Sequence, residues 1–231
     1  FPAYYTSAWT SYGETSELGY FPPEALEDGI TNPSYCEQTE RPQFQVGAFT
    51  LKDTHNITID STCVMNIGMN GIAMFGDNTY NTVQNSEIKN IGFNGVITDG
   101  GYPGVGKYNN HHLFTNLLVH DVGELVGQAS GVTVQQSGYN TVSHIEVYNS
   151  PRRGVFFCGA WWRRHPEHRD TCPPNCKLDT FVRYDDSYTY ENHFEYIYIH
   201  DCEQDGGDDG AFMVCTLFWE SEGKGNKPNY I

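Results

Sequence analysis

Apolar residues recur through the middle of this chain in short alternating runs, and five of these runs share a single register. In each run a branched aliphatic residue lies two positions before an Asn or Asp. The aliphatic column consists of Val64, Ile88, Val119, Val147 and Ile199, and the Asn or Asp column consists of Asn66, Asn90, Asp121, Asn149 and Asp201. Alternation with a period of two predicts β-strands with one buried face. Because Asn and Asp tolerate left-handed backbone angles, their column predicts a corner at the end of each strand.

A second column follows each corner, where a glycine precedes a small or branched apolar residue. Its members are Gly71-Ile72, Gly95-Val96, Gly131-Val132, Gly154-Val155 and Gly210-Ala211. Repeat units that bury their inward residues only against neighbouring units are typical of a solenoid. The sequence therefore predicts an all-β fold, a parallel β-helix built from short strands. The alternative is an antiparallel sandwich, which would have hairpin turns and no fixed register of columns.

The spacing between the corner residues predicts where the loops lie. It is 24 residues from Asn66 to Asn90, 31 from Asn90 to Asp121, 28 from Asp121 to Asn149 and 52 from Asn149 to Asp201. Extra length has to leave a stack as a loop, and repeat proteins gather such loops on the face that binds ligands. We predict a capping segment over residues 1–50 and a β-helix over residues 51–231, with a Cys-, Arg- and Trp-rich insertion at about 160–190.

Composition narrows the setting of this fold. The 231 residues include 13 Lys and Arg against 29 Asp and Glu, a net charge of −16 that argues against a nucleic-acid partner. No apolar run approaches the roughly 18 residues of a membrane span. Seven cysteines and the sequon Asn56-Ile57-Thr58 favour a secreted, extracellular glycoprotein with disulfides, glycosylated at Asn56. The odd cysteine count leaves at least one thiol buried or bonded to a partner chain.

Cysteines in the predicted insertion favour a disulfide over a metal site. Cys172 and Cys176 are close enough in sequence to act as a zinc pair, but no second pair follows at finger spacing. We therefore expect them to bond to each other or to Cys158.

Carboxylates concentrate in the predicted loops. Asp99 leaves the second coil, Glu124 widens the turn of the third, and Asp205, Asp208 and Asp209 lie among glycines in the fifth. Glycoside hydrolysis uses two carboxylates with separated pKa values, one as acid and one as base or nucleophile. The fifth-coil cluster has a second interpretation as a Ca²⁺ site formed by Asp205, Asp208 and Asp209. No other cofactor is expected.

Cationic and aromatic residues suggest how a ligand is held. The cationic cluster consists of Arg152, Arg153, Arg163, Arg164 and Arg169, and the aromatic residues of the loops include Tyr102, Trp161 and Trp162. In the column register Arg152 and Arg153 align with Asp208 and Asp209, which predicts guanidinium groups beside carboxylates about 4.8 Å away on the next strand. The aromatic rings offer flat faces for sugars, or plug the loop against the stack. His120 and His144 lie between the acids as further candidate binding residues.

Four segments carry a resemblance to a known superfamily. They are Val119-His120-Asp121-Val122-Gly123, Ser130-Gly131-Val132-Thr133-Val134, Tyr139-Asn140-Thr141-Val142-Ser143-His144, and Ile199-His200-Asp201 followed by Asp209-Gly210-Ala211-Phe212. They resemble the right-handed parallel β-helix proteins of the pectate-lyase-like superfamily, closest to the β-helical glycoside hydrolases that act on plant cell-wall polysaccharides. The resemblance covers residues 51–215. It implies a catalytic acid at Asp209, before the Gly-Ala turn, and a second acid at Asp99 or Glu124.

These observations lead to a functional expectation with two alternatives. We expect a secreted glycoside hydrolase acting on a polysaccharide or oligosaccharide, with Arg153 orienting an acidic sugar or tuning Asp209. The first alternative is a polysaccharide lyase or epimerase on the same fold. The second is a non-catalytic carbohydrate-binding, adhesive or structural matrix protein.

Overall fold

The computed structural model describes residues 46–100, 109–127, 129–158, 189–204, 210–215 and 228–231. Within these ranges the chain forms fifteen β-strands and no helix. The strands are β1 (Gly47–Lys52), β2 (Thr58–Asp60), β3 (Cys63–Ile67), β4 (Asn70–Phe75), β5 (Asn78–Thr79), β6 (Thr82–Ile91), β7 (Val96–Asp99), β8 (Asn109–Asn110), β9 (Leu113–Val122), β10 (Ser130–Gln135), β11 (Ser137–Gly138), β12 (Thr141–Ser150), β13 (Arg153–Cys158), β14 (His193–Cys202) and β15 (Phe212–Cys215). The first strand begins at Gly47, shortly before the expected boundary at Leu51.

The strands form three sheets in which every strand pairing among the described residues is parallel. Sheet A has the order β1-β4-β7-β10-β13-β15, sheet B the order β11-β8-β5, and sheet C the order β14-β12-β9-β6-β2, with β3 also paired to β6. From β4 to β12 successive strands belong to sheets A, B and C in turn. The expected all-β class with parallel strands is therefore confirmed, and the arrangement is compatible with a parallel β-helix or solenoid.

The two predicted apolar columns lie in register in the core. In sheet C, Val64, Ile88, Val119, Val147 and Ile199 are successive partners. In sheet A, the partners are Ile72, Val96, Val132 and Val155. All nine residues belong to or pack against one hydrophobic core, which is enclosed by the inward faces of sheets A and C.

The last strand of sheet A departs from the predicted register by one residue. Val155 pairs with Phe212 instead of Ala211, and the Gly154 N–H donates to the Ala211 carbonyl at 2.9 Å. Phe212 packs edge-on against Phe194 with ring centroids 5.3 Å apart, a contact that alanine is too small to make. Asp208 and Asp209, the expected partners of Arg152 and Arg153, lie outside the described residues, so that alignment stays a prediction.

Glycine is required where the corner leads into sheet A. A Cβ on Gly95 would lie 2.5 Å from the Gly131 carbonyl oxygen and 2.5 Å from Val119 Cγ1. Such distances are too short for real atoms, so the glycine column allows adjacent strands to approach each other at this corner.

A buried ladder of side-chain acceptors runs along the start of sheet C. Each of five equivalent positions accepts the backbone N–H of the residue one repeat earlier, at 2.8–3.2 Å; the positions are Asn81, His112, Asn140, Asn192 and Asn229. His112 is the one ring in this ladder; its Nδ1 accepts from the Asn81 N–H. The ladder satisfies backbone donors that would otherwise be buried without a partner.

The predicted corner residues form a second, exposed ladder at the other end of sheet C. Asn66, Asn90, Asp121, Asn149 and Asp201 all have positive φ angles, between 49° and 60°. Asn90 donates to Asn66 Oδ1 at 3.1 Å, and Asn149 donates to Asp121 Oδ1 at 2.8 Å. The prediction of left-handed corners is confirmed at all five positions.

Candidate functional site

An open groove of about 560 Å³ crosses the outer face of sheet C. Its position follows from a bend in the long strands, because Asn85, Asn116, His144 and Tyr196 each interrupt the extended backbone with a φ of 52°. The bend turns polar and aromatic side chains outward on four successive strands. The groove is therefore a regular product of the repeat.

Two carboxylates face this groove from one register column. Glu87, Leu118, Glu146 and Tyr198 are successive partners on β6, β9, β12 and β14, and all four line the groove. Glu87 and Glu146 are thus separated by a single apolar residue, which gives two strand spacings of about 4.8 Å each. The column brings together acids that are 59 residues apart in sequence.

Glu87 is held by two cationic or polar neighbours. Lys89 Nζ lies 3.0 Å from Glu87 Oε1, and His120 Nε2 lies 3.2 Å from the same oxygen. The hydrogen bond from Lys89, followed by that from His120, lowers the pKa of the Glu87 carboxyl below its ordinary value. Glu87 therefore stays ionised at neutral pH.

Glu146 takes part in the same type of contact two repeats later. His200 Nε2 lies 3.2 Å from Glu146 Oε1, and His200 Nδ1 lies 2.8 Å from Asp201 Oδ2. Hydrogen bonds to Asp201 first and Glu146 second raise the pKa of the His200 imidazole. The matching contact of His120 with Asp121 is 2.7 Å long, so the Glu-His-Asp arrangement occurs twice on this face.

Aromatic rings join and flank these two clusters. Tyr148 is stacked between His120 and His200, with ring centroids 4.5 Å and 4.9 Å away. Tyr196 stacks on His144 at 4.7 Å. Tyr196 is 73% exposed and Tyr198 is 60% exposed, so both rings are available to a ligand at the edge of the groove.

Two of the predicted binding residues lie on this face, although their contacts differ. His144 lines the groove directly, whereas His120 is buried to 8% exposure beneath it and contacts the carboxylates of Glu87 and Asp121. His120 therefore positions Glu87, and its ring lies under the surface that a ligand would touch.

The structure does not bring Asp99 and Glu124 together. Asp99 ends β7 and is 2% exposed. It pairs in register with Phe75 and Gln135, at the carboxyl ends of the strands of sheet A. Glu124 is exposed in the turn before β10, near the amino ends of the strands of the same sheet. Its N–H donates to the Ile91 carbonyl at 3.1 Å. The two carboxylates therefore lie at opposite ends of the strands of sheet A.

The two described arginines also belong to sheet A. Arg152 and Arg153 are buried, at 6% and 2% exposure. The Arg153 Nε approaches Met213 Sδ at 3.2 Å, and its guanidinium carbon lies 4.2 Å from the centre of the Phe156 ring. Arg153 thus packs on sheet A, at the start of β13, and does not line the groove on sheet C.

The remaining predicted site residues fall outside the described ranges. These are Asp205, Asp208 and Asp209, together with Tyr102, Trp161 and Trp162. Their catalytic, calcium-binding and sugar-binding roles stay predictions, as does a disulfide among Cys158, Cys172 and Cys176. In the part of the chain that is described, Cys63 and Cys202 are free thiols.

The described residues contain no group of three or more His, Cys, Asp or Glu side chains placed to hold a metal ion. They also contain no helix long and apolar enough to cross a membrane.

Sequence reasoning missed Glu87, Glu146, His200 and Asp201 as site residues. The signal is present in the repeat, because each glutamate lies three residues before a corner asparagine, Asn90 or Asn149. A His-Asp dipeptide then ends the following strand of sheet C. Reading the outward positions of the repeat, as well as its loops, would have identified both clusters.

Comparisons of the chain with protein-family models, curated proteins and solved structures give no match. The site is therefore interpreted from its own geometry.

Proposed function

We propose that this protein is a secreted right-handed parallel β-helix of the pectate-lyase-like type that binds a polysaccharide in the sheet C groove and hydrolyses its glycosidic bonds. The parallel sheets, the strand order that returns to each sheet every third strand, and the stacked corner ladder support the fold. The groove supports the activity because it combines paired carboxylates with exposed aromatic rings, which suit an uncharged, hydroxyl-rich chain.

One observation carries the hydrolase assignment: Glu87 and Glu146 face the same groove two strands apart. Their backbones are about 9.6 Å apart at two strand spacings. Inverting glycosidases hold their carboxyl groups about 6.5–9.5 Å apart, which leaves room for a water molecule beside the sugar. Retaining enzymes need about 5–5.5 Å, a separation typical of adjacent strands. The column therefore favours inversion at the anomeric carbon.

The environments of the two glutamates suggest their roles. Glu87, kept ionised by Lys89 and His120, suits the base that removes a proton from the attacking water. Glu146 is then assigned as the acid, since His200 Nε2, 3.2 Å from Glu146 Oε1, can supply it with the proton that passes to the leaving oxygen. Tyr196 and Tyr198 would stack on neighbouring sugar rings along the edge.

The earlier pairing of Asp209 with Asp99 or Glu124 remains a separate prediction. Asp99 and Glu124 lie at opposite ends of the strands of sheet A, so either pairing would use a different surface from the groove on sheet C. Asp208 belongs to the same prediction. We assign the activity to the groove because its two acids face one open space.

A non-catalytic carbohydrate-binding protein is the second candidate. The hydrogen bonds of Glu87 to His120 and of Glu146 to His200 also hold neighbouring strands together. A lyase or epimerase fits the groove less well, because such an enzyme removes a proton beside a neutralised uronate. Lys89, the lysine beside Glu87, is ion-paired to that acid.

Replacing each glutamate by glutamine tests the assignment. The substrate is a plant polysaccharide that the parent chain hydrolyses, called the responsive polysaccharide below. Glu146→Gln and Glu87→Gln should each lower the rate at which reducing ends are released from it by at least about 100-fold, because each removes a proton-transfer group. The matched control is Glu195→Gln, an exposed glutamate on β14 that does not line the groove.

The control variant should keep the parent rate. Unchanged hydrolysis in both groove variants would contradict the catalytic assignment. Oligosaccharide binding without any hydrolysis by the parent chain would favour the non-catalytic candidate. An unsaturated product absorbing in the ultraviolet would indicate a lyase.

A further inference from the structure

The sequon Asn56-Ile57-Thr58 lies at an exposed turn, away from the groove. Asn56 and Thr58 are both exposed, and Asn56 has a left-handed backbone with a φ of 59°. Its backbone N–H donates to the Thr79 carbonyl at 3.1 Å, which fixes the turn to the next coil. Among the described residues this backbone bond is the one hydrogen bond of Asn56, and the residue is exposed to solvent.

Tyr80 occupies the equivalent turn one coil later. His55 and Thr79 form a parallel bridge, which places Asn56 directly beside Tyr80. Both residues share the left-handed conformation, because Tyr80 has a φ of 56°. About 4.8 Å separates equivalent positions on adjacent strands, a distance over which the first sugar of a glycan could contact the tyrosine ring.

Only one face of the Tyr80 ring is covered in the described structure. Tyr80 stacks on His111 at 4.8 Å, and His111 stacks on Tyr139 at 4.8 Å, so a ladder of rings rises from Tyr80 away from Asn56. Tyr80 is nevertheless 56% exposed. The ring at the start of the ladder therefore has a free face on the side of the sequon.

We propose that Asn56 carries an N-linked glycan whose first sugar packs its C–H face against the free face of Tyr80. An aromatic face attracts aliphatic C–H groups and excludes water from them. The glycan would extend the ring ladder by one member and protect the first turn of the described stack. This inference is independent of the groove and of its proposed activity.

The modification is the transfer of an oligosaccharide to the side chain of Asn56. A lipid-linked oligosaccharide pyrophosphate, supplied by the secretory pathway, is the donor. The bond from its anomeric carbon to the pyrophosphate oxygen breaks, and the lipid pyrophosphate leaves with the electron pair. A bond forms from that carbon to Asn56 Nδ2, which loses one proton to the surrounding water.

Expression through a eukaryotic secretory pathway tests the modification. Intact-mass analysis should show a glycan that a peptide N-glycosidase removes, and both Asn56→Gln and Thr58→Ala should abolish it. Efficient secretion of an unmodified parent chain would overturn the proposal.

A thermal-unfolding cycle tests the packing on Tyr80. Tyr80→Asn keeps a residue that tolerates the left-handed turn but removes the ring. The variant should lower Tm by about 2–4 °C more in the glycosylated chain than in the Thr58→Ala background. This difference should persist after an endoglycosidase trims the glycan to its first sugar.

Tyr139→Asn is the matched control, because Tyr139 has the same left-handed turn but its ring is contacted by both His111 and Tyr190. Its effect on Tm should be equal in the two backgrounds. An equal effect of Tyr80→Asn in the two backgrounds would overturn the packing inference, whatever the groove is found to do.

Discussion

At the scale of single residues, His112 shows how the fold constrains side-chain chemistry. It occupies a position that is asparagine elsewhere in the buried ladder, where Nδ1 accepts from the Asn81 N–H at 3.2 Å and Nε2 faces Asn109 Oδ1 at 2.7 Å. An acceptor at Nδ1 and a donor at Nε2 define a neutral tautomer. Burial accordingly lowers the pKa of His112 to about 4.

This pKa predicts a loss of stability in mild acid. The unfolded chain binds a proton at His112 below about pH 6.5, whereas the folded chain resists it down to about pH 4. Stability contributed by the neutral ring is therefore present above pH 6.5 and is lost as pH falls towards 4, by roughly 3 kcal/mol in total. Urea unfolding of His112→Asn should show a shallower decline over this range than the parent chain.

His55→Asn, at an exposed turn, provides the control and should leave the decline unchanged. A parent-like pH dependence in His112→Asn would contradict the buried, neutral role of this ring. The ladder that keeps His112 neutral joins residues that are far apart in sequence. His112 and Asn140 are 28 positions apart and Asn140 and Asn192 are 52 positions apart, so no local sequence pattern reveals it.

At the scale of elements, the repeat determined most of what could be predicted. Period-two alternation and corner residues are local signals, so the strands of sheets A and C and their register followed from the sequence. The last strand was misplaced because Gly210-Ala211 imitates the column, whereas the core position needs the larger Phe212. The short strands of sheet B have only two residues each, too few for an alternating pattern to show.

The glycine column gives an element-scale prediction. Gly95→Ala would force a Cβ to within 2.5 Å of a backbone oxygen on the next strand, so we expect a loss of about 1–3 kcal/mol in the free energy of unfolding. Gly210→Ala is the control, since the nearest atom to its new Cβ is 3.4 Å away. Chemical denaturation of both variants checks this, and equal stabilities would contradict the close approach of the strands.

At the scale of the whole molecule, parallel stacking converts distant sequence positions into one surface. Loops were the natural place to seek chemistry, because insertions in repeat proteins usually gather there. The described structure instead places its paired acids on strands, where the bend at Asn85, Asn116 and His144 opens a groove. The candidate site was therefore only partly predictable: His120 and His144 were identified, but the glutamates that they accompany were not.

Charge distinguishes this surface from the one first expected. The groove is lined by Glu87 and Glu146, while Arg152 and Arg153 are buried along sheet A. An acidic groove in a chain of net charge −16 disfavours a uronate polymer and is better suited to a neutral polysaccharide. Arg153 lies on sheet A with Met213 and Phe156 among its contacts, and its expected role in orienting an acidic sugar beside Asp209 stays a separate prediction.

A crystal structure of Glu146→Gln bound to an oligosaccharide of the responsive polysaccharide tests this account most directly. We predict a right-handed parallel coil with the sugar lying in the sheet C groove, one ring between positions 87 and 146 and another against Tyr196 or Tyr198. A sugar bound beside Asp99 on sheet A, with the sheet C groove empty, would contradict it.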